Sequence, residues 1–203
     1  PWNGRSTAYD AGTGVIPSRR RRGASEAMFA FMLPIFREAG IEQFLLEVIT
    51  TNTPAVELYR KLGFRVEREL VFMEAPAALD AETRANEAAE IRPMTVDEIV
   101  PLSELWHAEP SWQNSNDAVA RSEDMKTILG AFIDGRCAGY AVFSKGLGRI
   151  AQFVVDERHW GGGIGSRLLK EMEREVIEGE KMQVINLDAR LTDTLRFFER
   201  RGF

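Results

Sequence analysis

The sequence contains very little cysteine and histidine. Cys137 is the single cysteine among 203 residues, so no disulfide can form within the chain. The two histidines, His107 and His159, have no cysteine or carboxylate cluster at ligand spacing, so we expect no bound metal. No signal-peptide pattern and no apolar run long enough to cross a bilayer is seen, so we expect a cytoplasmic protein without a membrane partner.

An excess of positive charge is also missing. The chain has 26 basic and 31 acidic residues, and its formal net charge is −5. Proteins that bind nucleic acid along a surface usually carry a basic excess, so we expect no nucleic-acid partner. With 44% hydrophobic and 28% charged residues, the composition is typical of a globular protein. Positive charge is concentrated at one place, Arg19–Arg22.

This arginine cluster lies between an extended segment and a helix. Val15-Ile16 predicts strand, and Pro17 ends it. The small residues Gly23-Ala24-Ser25 then open a helix that runs to Gly40 and that Pro34 should bend. Free N–H groups and added positive charge at a helix start favour a phosphate. Apolar residues recur along this helix at helical intervals, and we interpret the stripe that they form as core: Met28, Phe29, Phe31, Met32, Ile35 and Phe36.

The next segments continue an alternation of strands and helices. Phe44–Ile49 is a short apolar run typical of a buried strand. Thr53-Pro54 opens a second helix, which carries Tyr59 and ends at Gly63. Phe64–Met73 predicts a strand or a pair of strands.

Composition divides the chain into two regions. Residues 75–90 are rich in alanine and glutamate with almost no large apolar side chain, so we interpret them as a linker between 1–74 and 91–203. In the second region, Thr95 and Glu98 form a capping box that opens a helix. Three antiparallel strands follow between Thr127 and Val155, the first two joined at the tight turn Asp134-Gly135.

The second region repeats the first. Val15 and Gly23 are matched by Val155 and Gly163, and Leu58–Phe64 is matched by Phe197–Phe203 at nearly the same spacing. A repeat of this length indicates duplicated domains. The first copy lacks the strands that precede the glycine loop in the second, and the second stops where the first continues into Phe64–Met73.

The combined pattern resembles the acyl-CoA-dependent N-acetyltransferases of the GNAT superfamily. Its parts are a strand, an Arg-x-x-Gly-x-small loop, a helix, a strand, Asn-x-x-Ala-x-x-Leu-Tyr and Gly-Phe. The resemblance covers both halves and implies a mixed α/β (α+β) fold of two GNAT-like domains in tandem. Each would be a mixed, mostly antiparallel sheet flanked by helices, the first truncated at its N-terminus and the second lacking its last strands. Two arrangements stay possible: the two halves pack against each other like a dimer of the family, or two chains form a homodimer.

The resemblance also assigns roles to residues of the first copy. The loop Arg20, Arg21, Arg22, Gly23, Ala24 and Ser25 would wrap the CoA pyrophosphate with backbone N–H groups. Val15 would offer backbone groups to the acetyl carbonyl and the pantetheine arm, and Asn52 would contact pantetheine. Tyr59 would protonate the departing CoA thiolate. Glu47 is our candidate general base, with Asp10 as a second candidate.

We therefore expect acetyl transfer from acetyl-CoA, as cosubstrate, to a primary amine of a small molecule or a protein. Simpler interpretations stay open: the arginines as a solvated run or a nucleic-acid patch, Asn52 as a turn residue, Tyr59 as a core aromatic and the carboxylates as ordinary strand ends. In the second copy Trp160 replaces the leading arginine, and Phe198 stands where the first copy has Tyr59. That copy is either a degenerate CoA site or a substrate-shaping domain. The alternative function is a non-catalytic CoA-binding or partner-binding module.

Overall fold

The computed structural model describes residues 2–76, 85–144, 146–176 and 181–203. Two compact units are present, Pro1–Glu67 and Arg68–Phe203. The division falls before the predicted end of the first region at residue 74, because the strand Leu70–Pro76 pairs within the sheet of the second unit. Residues 77–84 of the predicted linker lie outside the described residues.

The first unit is a strand–helix–strand–helix arrangement. Strand β1 (Thr7–Asp10) pairs in parallel with β2 (Gln43–Leu46), and helix α1 (Ala24–Glu38) connects them. Helix α2 (Thr53–Lys61) follows β2. A parallel pair needs a crossover of this kind, since a tight turn can join only antiparallel strands. Pro34 lies inside α1, and the helix continues past it.

Aromatic rings form the centre of the first unit. Phe29 of α1 is fully buried, and its ring centroid lies 5.8 Å from Phe44 and 5.9 Å from Phe64. Phe36 contacts Phe44 at 5.0 Å. The prediction that the whole stripe of α1 is core is wrong for Phe31, which is 73% exposed, and also for Met28 and Ile35, which are exposed. A two-stranded sheet is too narrow to cover more than one side of the helix.

The strand predicted at Val15-Ile16 is wrong, and the strand predicted to end at Ile49 is shorter than expected. Val15 and Ile16 lie in irregular chain beyond β1, and β2 ends at Leu46, three residues before the predicted end at Ile49. In the second unit, the matching Val155 lies in a strand because it pairs with Gly139 of an antiparallel neighbour. The parallel neighbour on the other edge pairs only with Arg149 and Ile150. In the first unit, β1 pairs with β2, and no described strand lies antiparallel to it on its other edge. Residues after Asp10 therefore have no neighbouring strand to accept their hydrogen bonds.

The second unit contains a six-stranded mixed sheet. Its order is β3-β8-β7-β6-β5-β4, and every neighbouring pair is antiparallel except β7 with β8. This confirms the expected mixed, mostly antiparallel sheet flanked by helices for the second unit, whereas the described sheet of the first unit is the parallel pair β1-β2. The strands are β3 (Leu70–Pro76), β4 (Glu90–Pro93), β5 (Thr127–Ile133), β6 (Arg136–Ser144), β7 (Arg149–Val155) and β8 (Lys181–Asp188). The helices are α3 (Val96–Ile99), α4 (Asn116–Ala120), α5 (Ile164–Glu173) and α6 (Thr192–Glu199).

Several local predictions for this unit are confirmed. Asp134 and Gly135 both have positive φ, +49° and +74°, as a two-residue hairpin requires. The capping box is present, because the Glu98 carboxylate accepts a hydrogen bond of 2.8 Å from the Thr95 amide. The helix it opens is α-helical only to Ile99 and continues as a 3-10 helix, since Pro101 has no N–H to donate.

Two apolar clusters lie on the two faces of this sheet. One contains Leu168, Leu169 and Met172, which α5 buries against the central strands. The other contains Ile99 and Val119 with the opposite face of β5 and β6. Among the helices of the described ranges, none combines the length and the apolar composition needed to cross a membrane.

Candidate functional site

The two parallel strands of the first unit end side by side. Their last pair is Asp10 with Leu46, and beyond this pair one chain continues to the arginine turn and the other to Glu47 and Asn52. Ligands of parallel sheets bind outside the carboxyl ends of the strands, where neighbouring chains diverge. The residues predicted to bind and to react with the cosubstrate therefore follow the same end of this sheet.

The arginine turn has a backbone that depends on glycine. Pro17–Arg19 form a 3-10 turn, Arg20 is extended, and Arg21 and Gly23 have φ of +56° and +74°. Gly23 precedes the first residue of α1 and adopts this left-handed conformation at no steric cost. Arg21 carries a side chain at positive φ, which costs about 1–2 kcal/mol in an L-residue.

The start of α1 offers unpaired donors. The first hydrogen bond of the helix runs from the Ala27 amide to the Gly23 carbonyl at 2.9 Å. The N–H groups of Ala24, Ser25 and Glu26 have no acceptor within the described part of the chain. Donors at a helix start, together with the positive end of the helix dipole, suit a phosphate group.

Four arginines directly precede these donors in the chain. All four side chains of Arg19–Arg22 are exposed, and none of them forms an ion pair with a carboxylate of the described residues. The Arg20 Nε donates a hydrogen bond of 3.0 Å to the Val15 carbonyl. This contact brings two of the predicted residues together and closes the turn onto the chain that leaves β1.

Tyr59 belongs to the aromatic centre of the first unit. Its ring packs edge-to-face on Phe29 at 5.8 Å and on Phe64 at 5.7 Å, so the interpretation as a core aromatic holds for the ring. Burial raises the pKa of the Tyr59 hydroxyl, and the charge of Asp10 raises it further. The hydroxyl therefore keeps its proton at neutral pH, as a proton donor must.

The other predicted residues of the first unit have different environments. Asn52 lies at the start of α2 with an exposed side chain that does not cap the helix. Glu47 is half-buried directly after β2. The Asp10 carboxylate accepts hydrogen bonds from the Gly12 amide at 2.9 Å and the Thr13 hydroxyl at 2.7 Å, so it closes the turn after β1.

The second unit contains a loop of the same conformation. Glu157–His159 form a 3-10 turn, Trp160 is extended, and Gly161 and Gly163 have φ of +72° and +82°. The Trp160 indole Nε1 donates a hydrogen bond of 2.9 Å to the Val155 carbonyl. Arg20 makes the matching contact to Val15 in the first loop, so tryptophan in place of arginine preserves the closure of the turn.

His107 lies beside this second loop. Its ring centroid is 5.0 Å from that of Trp160, and its Nδ1 is 3.1 Å from a carboxylate oxygen of Glu157. Over the described ranges, no group of three His, Cys, Asp or Glu side chains could hold a metal ion.

A cleft opens where β7 and β8 separate. The parallel ladder ends at Ile150 with Val184, and the cleft beyond it contains a polar network that the sequence analysis missed. Tyr140 donates to Gln152 at 2.9 Å and accepts from the Trp106 indole at 2.6 Å. The Gln152 amide donates to the Asn114 carbonyl at 2.7 Å. The signal in the sequence was a glutamine inside the apolar run of β7.

An ion cluster closes one end of this cleft. Asp188 is 3% exposed and accepts hydrogen bonds from Arg190 at Nε (2.9 Å) and Nη2 (2.7 Å) and from Arg68 (3.3 Å). The Arg190 guanidinium lowers the pKa of Asp188 to about 2. Arg68 also donates to the carbonyls of Glu109 and Pro110. This cluster links the start of the second unit to the end of β8.

Phe198 is the counterpart of Tyr59 and is fully buried. Its ring lies 5.2 Å from Phe153 and from Phe197 and 5.0 Å from Phe203. This helix position of the second unit therefore carries no hydroxyl, whereas the first unit has that of Tyr59.

A family model described as the acetyltransferase (GNAT) family matches residues 1–64 and 90–203 of the chain. Comparison with curated proteins gives no match.

Solved structures show the same fold. A tandem GNAT protein from the clavulanic acid biosynthesis pathway (without AcCoA) is similar with a TM-score of 0.61 and 19% identity, over 95% of this chain and 71% of that one. A GCN5-related N-acetyltransferase from Sphaerobacter thermophilus has a TM-score of 0.59 and 18% identity, over 86% and 62%. One from Kribbella flavida has a TM-score of 0.53 and 18% identity, over 91% and 47%, so this chain spans about half of it.

Proposed function

The chain belongs to the acetyltransferase (GNAT) family, whose fold supports acyl transfer from CoA, and we propose that its first unit transfers an acetyl group from acetyl-CoA to a primary amine. The observation that carries this proposal is the set of unpaired N–H groups at Ala24–Glu26 beside the four exposed arginines. These donors and charges suit the pyrophosphate of CoA. The acceptor is an amine of a small molecule or of a protein.

The reaction needs a proton donor for the leaving group. The amine nitrogen attacks the thioester carbon, and the carbon–sulfur bond breaks as the tetrahedral intermediate collapses. The CoA thiolate then takes the proton of the Tyr59 hydroxyl, which is neutral at pH 7 as tyrosine normally is, and burial with the charge of Asp10 raises its pKa further. In this mechanism the hydroxyl of Tyr59 is catalytic, while its ring packs in the core of the unit.

The reaction also needs a base. The attacking amine must lose a proton, and we assign this role to Glu47, which follows the carboxyl end of β2. Asp10 is the second candidate, and its two carboxylate oxygens accept hydrogen bonds from Gly12 and Thr13. Asn52, with its exposed side chain, is assigned to the pantetheine arm.

A second function is supported for the other unit. Its loop has the conformation of the first, and its counterpart of Tyr59 is the buried Phe198. These two observations support a CoA-binding module that does not catalyse transfer. In this proposal the chain has one catalytic unit and one that binds without reaction.

The test is thiol release from acetyl-CoA with a panel of primary amines. We expect Tyr59→Phe to lower kcat by about 100-fold or more with little change in KM for acetyl-CoA, because loss of a general acid costs about 10²–10⁴ in rate. Glu57→Gln, on the same helix, is the matched control and should keep full turnover. Undiminished turnover in Tyr59→Phe would exclude the role of Tyr59, and absence of thiol release with every amine would favour the binding module.

A further inference from the structure

A second pocket lies at the start of β7, at the opposite end of that strand from the glycine loop. It is lined by Lys126, Ser144 and Ser122, with Met125 and Leu147 as apolar walls and Asp124 also in its lining. Ser144 ends β6 and pairs with Arg149, the first residue of β7. The pocket is therefore separate from the cleft between β7 and β8.

Lys126 is the charged group of this pocket. Its ammonium is half-buried and donates a hydrogen bond of 3.0 Å to the hydroxyl of Ser144, which is only 8% exposed. No carboxylate oxygen of the described residues comes within 4.0 Å of it. Burial lowers the pKa of Lys126, and the charge of Arg149 lowers it further. Partial burial disfavours the charged form of Lys126, and a bound anion would offset this cost.

Two hydroxyl residues close to Lys126 in the chain do not supply the second contact of this pocket: Thr127 is not part of its lining, and Ser122 is already engaged. The Thr127 hydroxyl is buried and has no hydrogen-bond partner within the described ranges. Ser122 is already engaged, since its hydroxyl donates to the Ala118 carbonyl at 2.9 Å. The ammonium with the Ser144 hydroxyl can thus receive one negatively charged head group.

The walls indicate the rest of the ligand. Met125 is 66% exposed and Leu147 is 56% exposed, although both are large apolar side chains. Apolar surface of this kind gains free energy when a hydrocarbon chain covers it. Asp124 adds a negative charge to the lining, which disfavours a dianion such as phosphate over a monoanion.

We propose that this pocket binds a small organic carboxylate with a short apolar chain, with Lys126 as its counter-ion and Ser144 as a second polar contact. The chain of the ligand contacts Met125 and Leu147. Neither the acetyl-transfer reaction nor the glycine loops use these residues, so the site stands independently of the proposed function.

Titration with hexanoate, followed by backbone amide NMR shifts of the full chain, tests this site. We expect saturable shifts at Lys126, Ser144 and Leu147, and about tenfold weaker binding in Lys126→Met, the effect of losing roughly one charge-assisted hydrogen bond. Methionine keeps the length of the side chain and removes an unpaired charge, so the variant should fold. Lys170→Met is the control, because Lys170 is paired with Glu87 on the surface at 3.1 Å and should leave hexanoate binding unchanged.

Two further probes separate the alternatives. 1-Hexanol has the same apolar chain without charge, and binding as tight as that of hexanoate would overturn the role of Lys126. Tighter binding of inorganic phosphate than of hexanoate would overturn the assignment to a carboxylate. Absence of saturable shifts at these residues would overturn the site itself. In Ser144→Ala, hexanoate binding weakened by less than in Lys126→Met would support the assigned order of the two contacts, and an equal or larger loss would contradict it.

Discussion

The two glycine loops of the molecule have the same backbone and different side chains. Each has a 3-10 turn, an extended residue and two positive φ angles before a helix, and each is closed by a side-chain donor on a carbonyl five residues earlier. Arg20 supplies that donor in the first loop at 3.0 Å and Trp160 supplies it in the second at 2.9 Å. The two loops thus share an N–H donor at this position, and only the first carries a positive charge there.

Helices α2 and α6, which occupy matching positions in the two repeats, differ in the residue that each places in its apolar centre. Tyr59 is half-buried and its hydroxyl keeps its proton, whereas Phe198 is completely enclosed by Phe153, Phe197 and Phe203. The loop conformation therefore occurs twice, and a hydroxyl at this helix position occurs in the first unit alone of the two. In the proposed function the first unit both binds and reacts whereas the second only binds, and variants of three residues test this difference.

The largest effect is expected for valine at the glycine that opens each helix. Gly23 has φ of +74°, which a β-branched residue cannot adopt without strain, although a Cβ there would meet no neighbouring atom. We expect Gly23→Val to lower kcat/KM for acetyl-CoA by about 100-fold, because the loop must move and misplaced contacts are costly. Steady-state thiol release measures this.

Gly163→Val makes the same change in the second loop and is the control. It should leave turnover in the first unit within about twofold, while it weakens any CoA binding by the second unit. If both variants lose turnover equally, the assignment of catalysis to the first unit alone is contradicted.

A smaller effect is expected when Phe198 is replaced by tyrosine. Phe198→Tyr adds a hydroxyl to a fully buried ring, and an unpaired buried hydroxyl costs about 1–3 kcal/mol. We expect a lower free energy of unfolding, measured by denaturant titration, and no gain in turnover. An increase in thiol release would show that the second unit lacks only a proton donor, and Phe203→Tyr serves as a comparison at a less buried ring of the same cluster.

The smallest effect is expected at the residue that closes the first loop. Arg20→Met removes the hydrogen bond to Val15, which is worth about 1 kcal/mol, so KM for acetyl-CoA should rise about fivefold. Arg20→Trp restores the donor that the second loop uses and should recover part of this loss. If tryptophan gives no recovery, Arg20 acts through its charge instead of through the closure of the turn.

Much of the fold was predictable because its signals are local. The hairpin at Asp134-Gly135, the capping box at Thr95 and the mixed sheet of the second unit are confirmed. The family was predictable because the Arg-x-x-Gly-x-small loop, the Asn-x-x-Ala-x-x-Leu-Tyr segment and Gly-Phe together resemble those of the GNAT superfamily. The assigned roles of Tyr59, Asn52 and Glu47 stay predictions.

Other features were not predictable, since they depend on neighbours distant in the chain. The apolar stripe of α1 reads as core throughout, yet Phe31 is exposed because the two-stranded sheet covers only one side of the helix. The hydrogen bonds of Tyr140 join it to Gln152 and Trp106, which lie in separate segments of the chain. No spacing pattern in the sequence therefore predicts this network.

The sequence by itself determined what one turn or one helix period can hold: the positive φ at Gly23, the phosphate-suited start of α1 and the likeness of the two repeats. Tertiary structure alone decided that Leu70–Pro76 pairs with β8 and that the first unit's strands end at Asp10 and Leu46. The physical reason is that backbone conformation follows from adjacent residues, whereas a strand exists only where another chain segment accepts its hydrogen bonds.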